Sequence, residues 1–302
     1  MNRLARRILI MAAGLAGNLA FGQATIFWNS EANKFNLTSA GQAMDGGFRF
    51  ELGVFDDGFV PSPGNVADWA AHWTAAQRRP YDAANKLFSG SHIPPDNNTP
   101  FAVNAPAYVW GFRGDGVINE WILFRAVSWT WPDASSFPYF EEWFAKDATA
   151  IVGEINSTGN PFLMKSAAVA NAAPPATTWD QWRAEFLDNE PLDGPGDDPD
   201  HDGTPNLLEF VFGSPPRSAN PPTATPVALV SGHLEITIPR RIDRRTNLVV
   251  EVSGDLANWF SGPPHTAVLT DSPAALVVRD LTPFDAAHPR RFMRLRAAPP
   301  GP

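Results

Sequence analysis

The sequence predicts a mostly β protein built from several modules, and three observations lead to this fold class. Residues 48–54 alternate apolar with polar or small side chains, which is the period-two pattern of a half-buried strand. Further strand-like runs, bounded by turn residues, occur at 107–113, 117–129, 234–238, 248–252 and 275–279. Low-complexity stretches rich in Ala, Pro, Ser and Thr lie at 166–178 and 214–226, where they mark module boundaries.

The first residues have the pattern of a secretory signal peptide over 1–23. Three arginines precede an apolar run, and Ala20 and Gly22 supply the small side chains that a signal peptidase needs. The apolar run is too short and too rich in glycine to span a bilayer comfortably, and no later segment is apolar enough to do so. We therefore expect an exported protein, which is periplasmic, attached to the cell surface or secreted, with no hydrophobic anchor in the tail 298–302.

Residues 24–160 are predicted to form a β-sandwich-like domain with helical insertions. A strand opens at Thr25, and Asn65 is a suitable N-cap for a short helix over 66–73. The step Asp115-Gly116 predicts the turn of a hairpin, and residues 138–148 have the spacing of a second helix. A linker over 161–178 follows this domain.

An acidic segment further along carries oxygen-bearing residues at regular spacing. Six of them stand at positions 1, 3, 5, 7, 9 and 12 of a loop: Asp198, Asp200, Asp202, Thr204, Asn206 and Glu209. Thr204 would contribute its backbone carbonyl, and Gly203 stands where the chain must turn sharply. A hard cation such as calcium is coordinated by six to eight oxygens at short distance. This spacing therefore predicts a calcium ion as the bound cofactor.

An acidic, solvated linker is the alternative interpretation of this segment, and the flanking residues argue against it. Trp179, Trp182 and Phe186 share one face of a predicted helix that Thr178 or Thr177 can cap. Apolar residues after the loop, including Leu207 and Phe210, predict a second helix, with Gly213 placed to end it. We expect the two faces to pack together in a short helix–calcium loop–helix module over 179–213.

The loop departs from paired calcium loops at position 8, which is Pro205. Proline has no N–H to pair with a second loop, and no second copy of the motif occurs in the chain. The motif, with Asn206-Leu207-Leu208-Glu209 at its end, resembles the dockerin-like and thrombospondin type-3-like calcium loops of exported bacterial modular proteins. That resemblance implies a structural calcium site followed by a β-rich C-terminal domain. With one loop instead of two, cohesin docking is not expected.

After a Pro-rich linker at 214–226, residues 227–297 are predicted to form a small C-terminal β-sandwich, since strand-like runs recur at short intervals. Arginines at 240–245 are expected to flank a turn between two of these strands. The chain has no cysteine, so disulfides cannot stabilise it. Its net charge of −9 argues against nucleic-acid binding, which needs a basic face.

No catalytic pattern emerges from the rest of the chain. The histidines are scattered without metal-binding spacing, and the sequence has neither a Gly-x-Ser-x-Gly elbow nor a phosphate-binding glycine loop. Trp129 and Trp131 lie on one side of an extended segment, where they either pack in the core or contact carbohydrate. We therefore expect a non-catalytic surface or extracellular binding or scaffold protein. The alternative is a protein that binds or degrades polysaccharide. The candidate partners are therefore an extracellular polysaccharide or a surface protein.

Overall fold

The structure is a computed structural model that describes residues 24–56, 58–114, 119–135, 140–221, 223–239, 246–272 and 275–298. The predicted signal peptide, the Asp115-Gly116 turn, the arginine cluster at 240–245 and residues 299–302 lie outside the described residues. Strands account for 39% of the protein and helices for 10%, distributed over several sheets, which confirms the mostly β prediction.

The N-terminal part consists of short strands and brief helical turns. The strands are β1 (Thr25–Asn29), β2 (Asn36–Leu37), β3 (Arg49–Phe55), β4 (Trp73–Pro80), β5 (Ser89–His92), β6 (Tyr108–Gly114), β7 (Asn119–Arg125), β8 (Phe140–Phe144), β9 (Thr149–Val152), β10 (Glu154–Ile155), β11 (Met164–Lys165) and β12 (Ala167–Val169). Helical turns are a 3₁₀ segment at Val66–Asp68, the short helix α1 (Trp69–His72) and a 3₁₀ segment at Ala145–Asp147.

The central sheet has the order β12-β7-β6-β3-β4, with β9 also pairing with β7. One of its faces packs Phe50, Leu52 and Ile122 against Ile26 and Trp28 from the sheet β5-β1-β8. Its other face carries a second aromatic cluster that includes tryptophans of α1, β6 and β7. The predicted antiparallel pairing is confirmed, since residues 109–114 of β6 pair with residues 119–124 of β7.

Strand β3 differs from the half-buried strand that its alternation predicts. Glu51, on the polar side of the pattern, is fully buried, because the second aromatic cluster covers that face. Arg78 lies opposite Glu51 in the neighbouring strand and bonds its carboxylate at 2.7 Å, while Trp73 donates its indole N–H at 2.7 Å. A buried charge is tolerated only when it is paired and hydrogen-bonded, and these contacts meet that condition.

The helix predicted over 138–148 is wrong for its described residues. Residues 140–144 form the strand β8, which pairs in parallel with β1, and a 3₁₀ turn follows at Ala145–Asp147. Phe140, Trp143 and Phe144 satisfy helical spacing, but pairing with β1 buries Trp143 in the core instead. The helix predicted over 66–73 forms in part, as the 3₁₀ segment Val66–Asp68 followed by α1 over Trp69–His72, while Trp73 begins strand β4. Asn65 accepts a hydrogen bond from the Trp69 indole at 2.8 Å and does not cap the helix.

The remaining elements are two helices and six strands. They are α2 (Trp179–Phe186), α3 (Asn206–Phe212), β13 (Val227–Val230), β14 (His233–Pro239), β15 (Asn247–Ser253), β16 (Thr266–Asp271), β17 (Ala275–Asp280) and β18 (Phe292–Ala298). The sheet β13-β14-β17-β16 and the ribbon β15-β18 share one apolar cluster, to which Ile236, Val278 and Val250 contribute. No helix in the described ranges is both long and apolar enough to cross a membrane.

Candidate metal centre

Helix α2 begins as its sequence predicts. Thr178 accepts the backbone N–H of Gln181 at 3.2 Å, and the Gln181 side chain accepts the N–H of Thr178 at 3.0 Å, which completes a capping box. Of the two threonines that could cap this helix, Thr178 is therefore the one that does. Thr177 instead accepts a hydrogen bond from Arg78 at 2.6 Å.

Helix α3 starts directly after Pro205 and ends at Gly213. Gly213 has a φ of 82° and donates its N–H to the Glu209 carbonyl at 2.6 Å. A left-handed residue at this position favours glycine, because a side chain would be strained there. The predicted C-cap is confirmed.

The two helices pack through aromatic side chains, as the sequence predicts. The Phe210 ring lies 5.8 Å from that of Trp179 and 5.6 Å from that of Trp182. Leu187 and Leu207 complete the same buried cluster. This packing brings the end of α2 and the start of α3 to the two sides of the acidic loop.

Three aspartates converge within the loop. Asp198, Asp200 and Asp202 each place one carboxylate oxygen within 4.8 Å of the other two. Gly203 turns the chain at a φ of 91° and donates its N–H to Asp198 at 2.9 Å. The N–H of Thr204 is likewise donated to Asp202 at 2.8 Å. Among the described residues, this is the one group of three or more His, Asp or Glu close enough to share a metal ion.

Four side-chain oxygens at this centre are buried and have no hydrogen-bond partner among the described residues. They are Asp198 Oδ1, Asp200 Oδ2, Asn206 Oδ1 and Glu209 Oε2. A buried polar atom without a partner is destabilising, so each such atom in a folded protein calls for an explanation. All four residues belong to the set that the sequence predicts as metal ligands.

Asn206 owes its orientation to the chain before the loop. Its amide group donates to the carbonyls of Leu192 at 2.9 Å and Gly194 at 3.0 Å. Its backbone N–H donates to the Asp197 carbonyl at 2.8 Å, which ties the start of α3 to the loop. With both amide hydrogens engaged, the free group of Asn206 is its oxygen, which is the atom that a hard cation prefers.

Glu209 is fully buried, and its second oxygen accepts from the Ser214 hydroxyl at 3.3 Å. Burial, together with the smaller effects of the negative charges of Asp200, Asp202 and Asp198, raises the pKa of Glu209 from 4.5 to about 7. A carboxyl that resists ionisation beside three aspartates indicates a site with an excess of negative charge.

Asn220 contacts the acidic loop, although the sequence pattern does not reveal this contact. It donates its backbone N–H and its side-chain amide to Asp202, both at 3.1 Å. The backbone hydrogen bond from Asn220 is the main reason that the pKa of Asp202 lies below its usual range. Asn220 lies in the Pro-rich stretch after α3. Asparagine is common among turn-forming residues, so the sequence gives no sign of its contact with Asp202.

The centre is connected to both sheet regions. Gln181 of α2 donates to the buried Glu51 at 3.2 Å, and Glu185 of α2 accepts from Arg49 at 2.9 Å. An open groove of about 1070 Å³ lies between this helix and the strands β4 and β5. On the other side, Phe212 of α3 packs against the apolar cluster of the C-terminal strands.

Trp129 and Trp131 do not form an exposed platform, which corrects the carbohydrate-contacting interpretation. Both side chains are buried. Trp129 stacks on Trp143 with ring centroids 5.5 Å apart, and Trp131 packs on Phe101 at 4.6 Å. Since a sugar ring would need an exposed indole face, the alternative interpretation of these residues as core packing is the correct one.

Comparison with known proteins found no matching family model, no matching curated protein and no matching solved structure. The chemistry of this centre is therefore inferred from its own residues. Those residues offer carboxylate and amide oxygens, a backbone loop held by its own hydrogen bonds, and a helix on each side.

Proposed function

We propose that residues 198–209 bind one calcium ion, and that the chain is an exported, non-catalytic binding or scaffold protein in which this ion has a structural role. The proposal rests on four buried oxygens, on Asp198, Asp200, Asn206 and Glu209, that have no hydrogen-bond partner within the described part of the chain. A cation between them would satisfy all four at once. An acidic linker without a metal offers no reason to bury them.

The donor set favours calcium over other divalent ions. Every candidate ligand is an oxygen, whereas zinc prefers nitrogen and sulfur. His201 lies within the loop, but its side chain is exposed. Magnesium demands near-ideal octahedral geometry and keeps several waters, while calcium accepts a flexible cage of carboxylates and carbonyls. Glu209 would contribute the bidentate carboxylate, and Thr204 its backbone carbonyl.

A structural role follows from where the ligands lie. Asp198, Asp200 and Asp202 are in the loop, while Asn206 and Glu209 are on α3. An ion shared between them would neutralise repelling carboxylates and fix the start of α3 against the loop. In this proposal, α2, the loop and α3 form the helix–calcium loop–helix module, between a β-sandwich-like N-terminal domain and a small C-terminal β-sandwich.

Isothermal titration calorimetry of the mature protein tests this proposal. We expect calcium to bind with a dissociation constant of roughly 10⁻⁴ to 10⁻³ M, the range of extracellular modules. Asp200→Ala should abolish the binding heat, because it removes a ligand oxygen from the centre of the loop. Asp188→Ala is the matched control, since its side chain is exposed and lies before the loop. Identical isotherms for wild type and Asp200→Ala would rule out the site.

A further inference from the structure

The C-terminal sheet is wider than the ribbon that covers it. Among the described residues, the four strands β13-β14-β17-β16 face the two strands of β15-β18 and the Phe212 side chain of α3. Val227 of β13 lies opposite Ile236, which lies opposite Val278 of β17, so the three side chains share the core face. Ile236 and Val278 are buried, but Val227 is 47% exposed and Leu229, on the same face, is 56% exposed. The apolar core therefore continues, uncovered, to the β13 edge.

Strand β13 also has an unpaired backbone edge. It pairs with β14 alone among the described strands. Thr237 donates its N–H to the Pro226 carbonyl at 3.0 Å, which fixes the hydrogen-bonding alternation of this ladder. Ala228 and Val230 therefore face β14, and the N–H and C=O groups of Val227 and Leu229 point away from it.

The opposite edge of the same sheet is protected in the usual ways. Strand β16 has a bulge between Val268 and Thr270, and it ends in the charged Asp271. Bulges and charges on edge strands prevent pairing with other chains. Strand β13, with the sequence Val-Ala-Leu-Val, has no charge, no proline and a regular register. Of the two edges of this sheet in the described structure, the β13 edge is the one open to another strand.

We propose that β13 pairs in antiparallel fashion with β13 of a second copy of this chain, about a two-fold axis through Ala228. In that register, Val227 of each chain lies opposite Leu229 of the other, and both residues have outward-pointing peptide groups. These groups form two hydrogen-bonded pairs. The sheets of the two copies become one continuous sheet.

The side chains of this segment suit a copy of itself. The register brings Val227 and Leu229 of both chains together on the core face, where they bury each other's exposed apolar surface. On the opposite face, the small Ala228 side chains meet without a clash. An isologous contact needs a surface that is complementary to itself, and an uncharged strand meets that requirement without like charges opposed.

The pairing should be weak, because four residues form a small interface. A stable interface buries roughly 1,600 Å² in total, and one short strand supplies only part of that area. We therefore expect reversible association that becomes visible at high protein concentration. This proposal is independent of the calcium site, since β13 contributes no ligand to it.

Sedimentation equilibrium of the mature protein over a wide concentration series, in calcium, tests the proposal. Wild type should associate, and Leu229→Lys should raise the dissociation constant by about tenfold or more, since a charge on an edge strand opposes pairing. Leu269→Lys is the matched control, because Leu269 is a 45% exposed leucine on the opposite edge of the same sheet. It should associate like wild type. Circular dichroism and thermal melts would verify that all three proteins fold.

A charge pair tests the register itself. A mixture of Leu229→Lys and Val227→Glu chains should form a heterodimer, because the two substituted positions lie opposite each other and opposite charges attract there. Wild type that stays monomeric at every concentration would overturn the proposal. Equal effects of Leu229→Lys and Leu269→Lys would overturn it too, as would a mixture that associates no better than its separate components.

Discussion

Glu209 combines complete burial, an oxygen with no hydrogen-bond partner among the described residues, and three aspartates as neighbours. Its carboxyl therefore takes up a proton more readily in the folded protein without metal than in the unfolded chain. The same features that raise its pKa to about 7 make the ionised carboxylate a strong ligand for a cation. Proton and calcium should thus compete for this residue.

The stability of the metal-free protein should depend on this proton. The pKa of Glu209 is raised from 4.5 to about 7, so the folded state holds more protons than the unfolded state between these values. In EDTA, the free energy of unfolding should therefore decrease as pH rises through this interval. Urea unfolding of wild type and Glu209→Gln at a series of pH values measures the effect. In the variant, the free energy of unfolding should depend less on pH over this interval. The same pH dependence in both proteins would contradict the expectation.

His92 has the opposite dependence. Burial lowers the pKa of His92 from 6.5 to about 4, with a smaller contribution from Arg79. Its Nε2 is buried without a partner among the described residues, and its ring packs against Trp131. The folded state therefore holds fewer protons than the unfolded state between these values, so stability from this residue is lost as pH falls from 6.5 through about 4.

The variant His92→Gln isolates that contribution, because glutamine stays uncharged. The difference in free energy of unfolding between wild type and His92→Gln should narrow as pH falls from 6.5 to about 4. The urea unfolding is done in saturating calcium, so that protonation of Glu209 does not contribute to the measured pH dependence. A difference that stays constant over this range would show that the His92 ring is not held neutral by its surroundings.

At the scale of elements, α2 and α3 are too short to be stable alone. They contain 8 and 7 residues, whereas isolated helices shorter than roughly 12–15 residues are marginal in water. The capping box at Thr178 and the left-handed Gly213 define their ends. The contacts of Phe210 with Trp179 and Trp182 supply the burial that holds them together.

Phe210→Ala should therefore destabilise the protein and weaken calcium binding together. Removing a buried Phe side chain costs about 3–5 kcal/mol, and α3 carries the neighbouring Glu209. Urea unfolding and calcium titration of the same variant measure the two effects. Phe284→Ala is the matched control, because this exposed phenylalanine should change stability by less than about 0.5 kcal/mol. Unchanged calcium affinity in Phe210→Ala would show that calcium binding by the loop does not depend on the packing of α2 against α3.

Across the whole molecule, the acidic loop lies between two β regions. Helix α2 contacts the N-terminal sheet through Gln181–Glu51 and Glu185–Arg49, and α3 places Phe212 in the C-terminal cluster. An ion in the loop would act on both connections, because its ligands lie in the loop after α2 and on α3 itself. Loss of the ion should therefore loosen this segment before it unfolds either sheet.

Limited proteolysis with endoproteinase Glu-C should detect that loosening. We expect EDTA to accelerate cleavage at Glu190 and Glu209, relative to a sample in millimolar calcium, because local opening exposes the backbone. Cleavage at Glu154, whose side chain is 60% exposed in the N-terminal region, serves as the internal control and should be insensitive to calcium. Equal cleavage of the loop in both samples would mean that calcium does not order it.

The amino-acid sequence by itself determined what depends on neighbours along the chain. The ligand spacing of the loop, the C-cap Gly213, and the strands β3, β14, β15 and β17 could all be predicted from local patterns, whereas the choice of Thr178 over Thr177 as N-cap could not. Tertiary structure decided what depends on contacts between distant residues. Pairing with β1 made a strand of β8, the aromatic cover buried Glu51, and packing placed Trp129 and Trp131 in the core. Asn220 reached Asp202, and the β13 edge stayed open, because these outcomes depend on which segments meet in space.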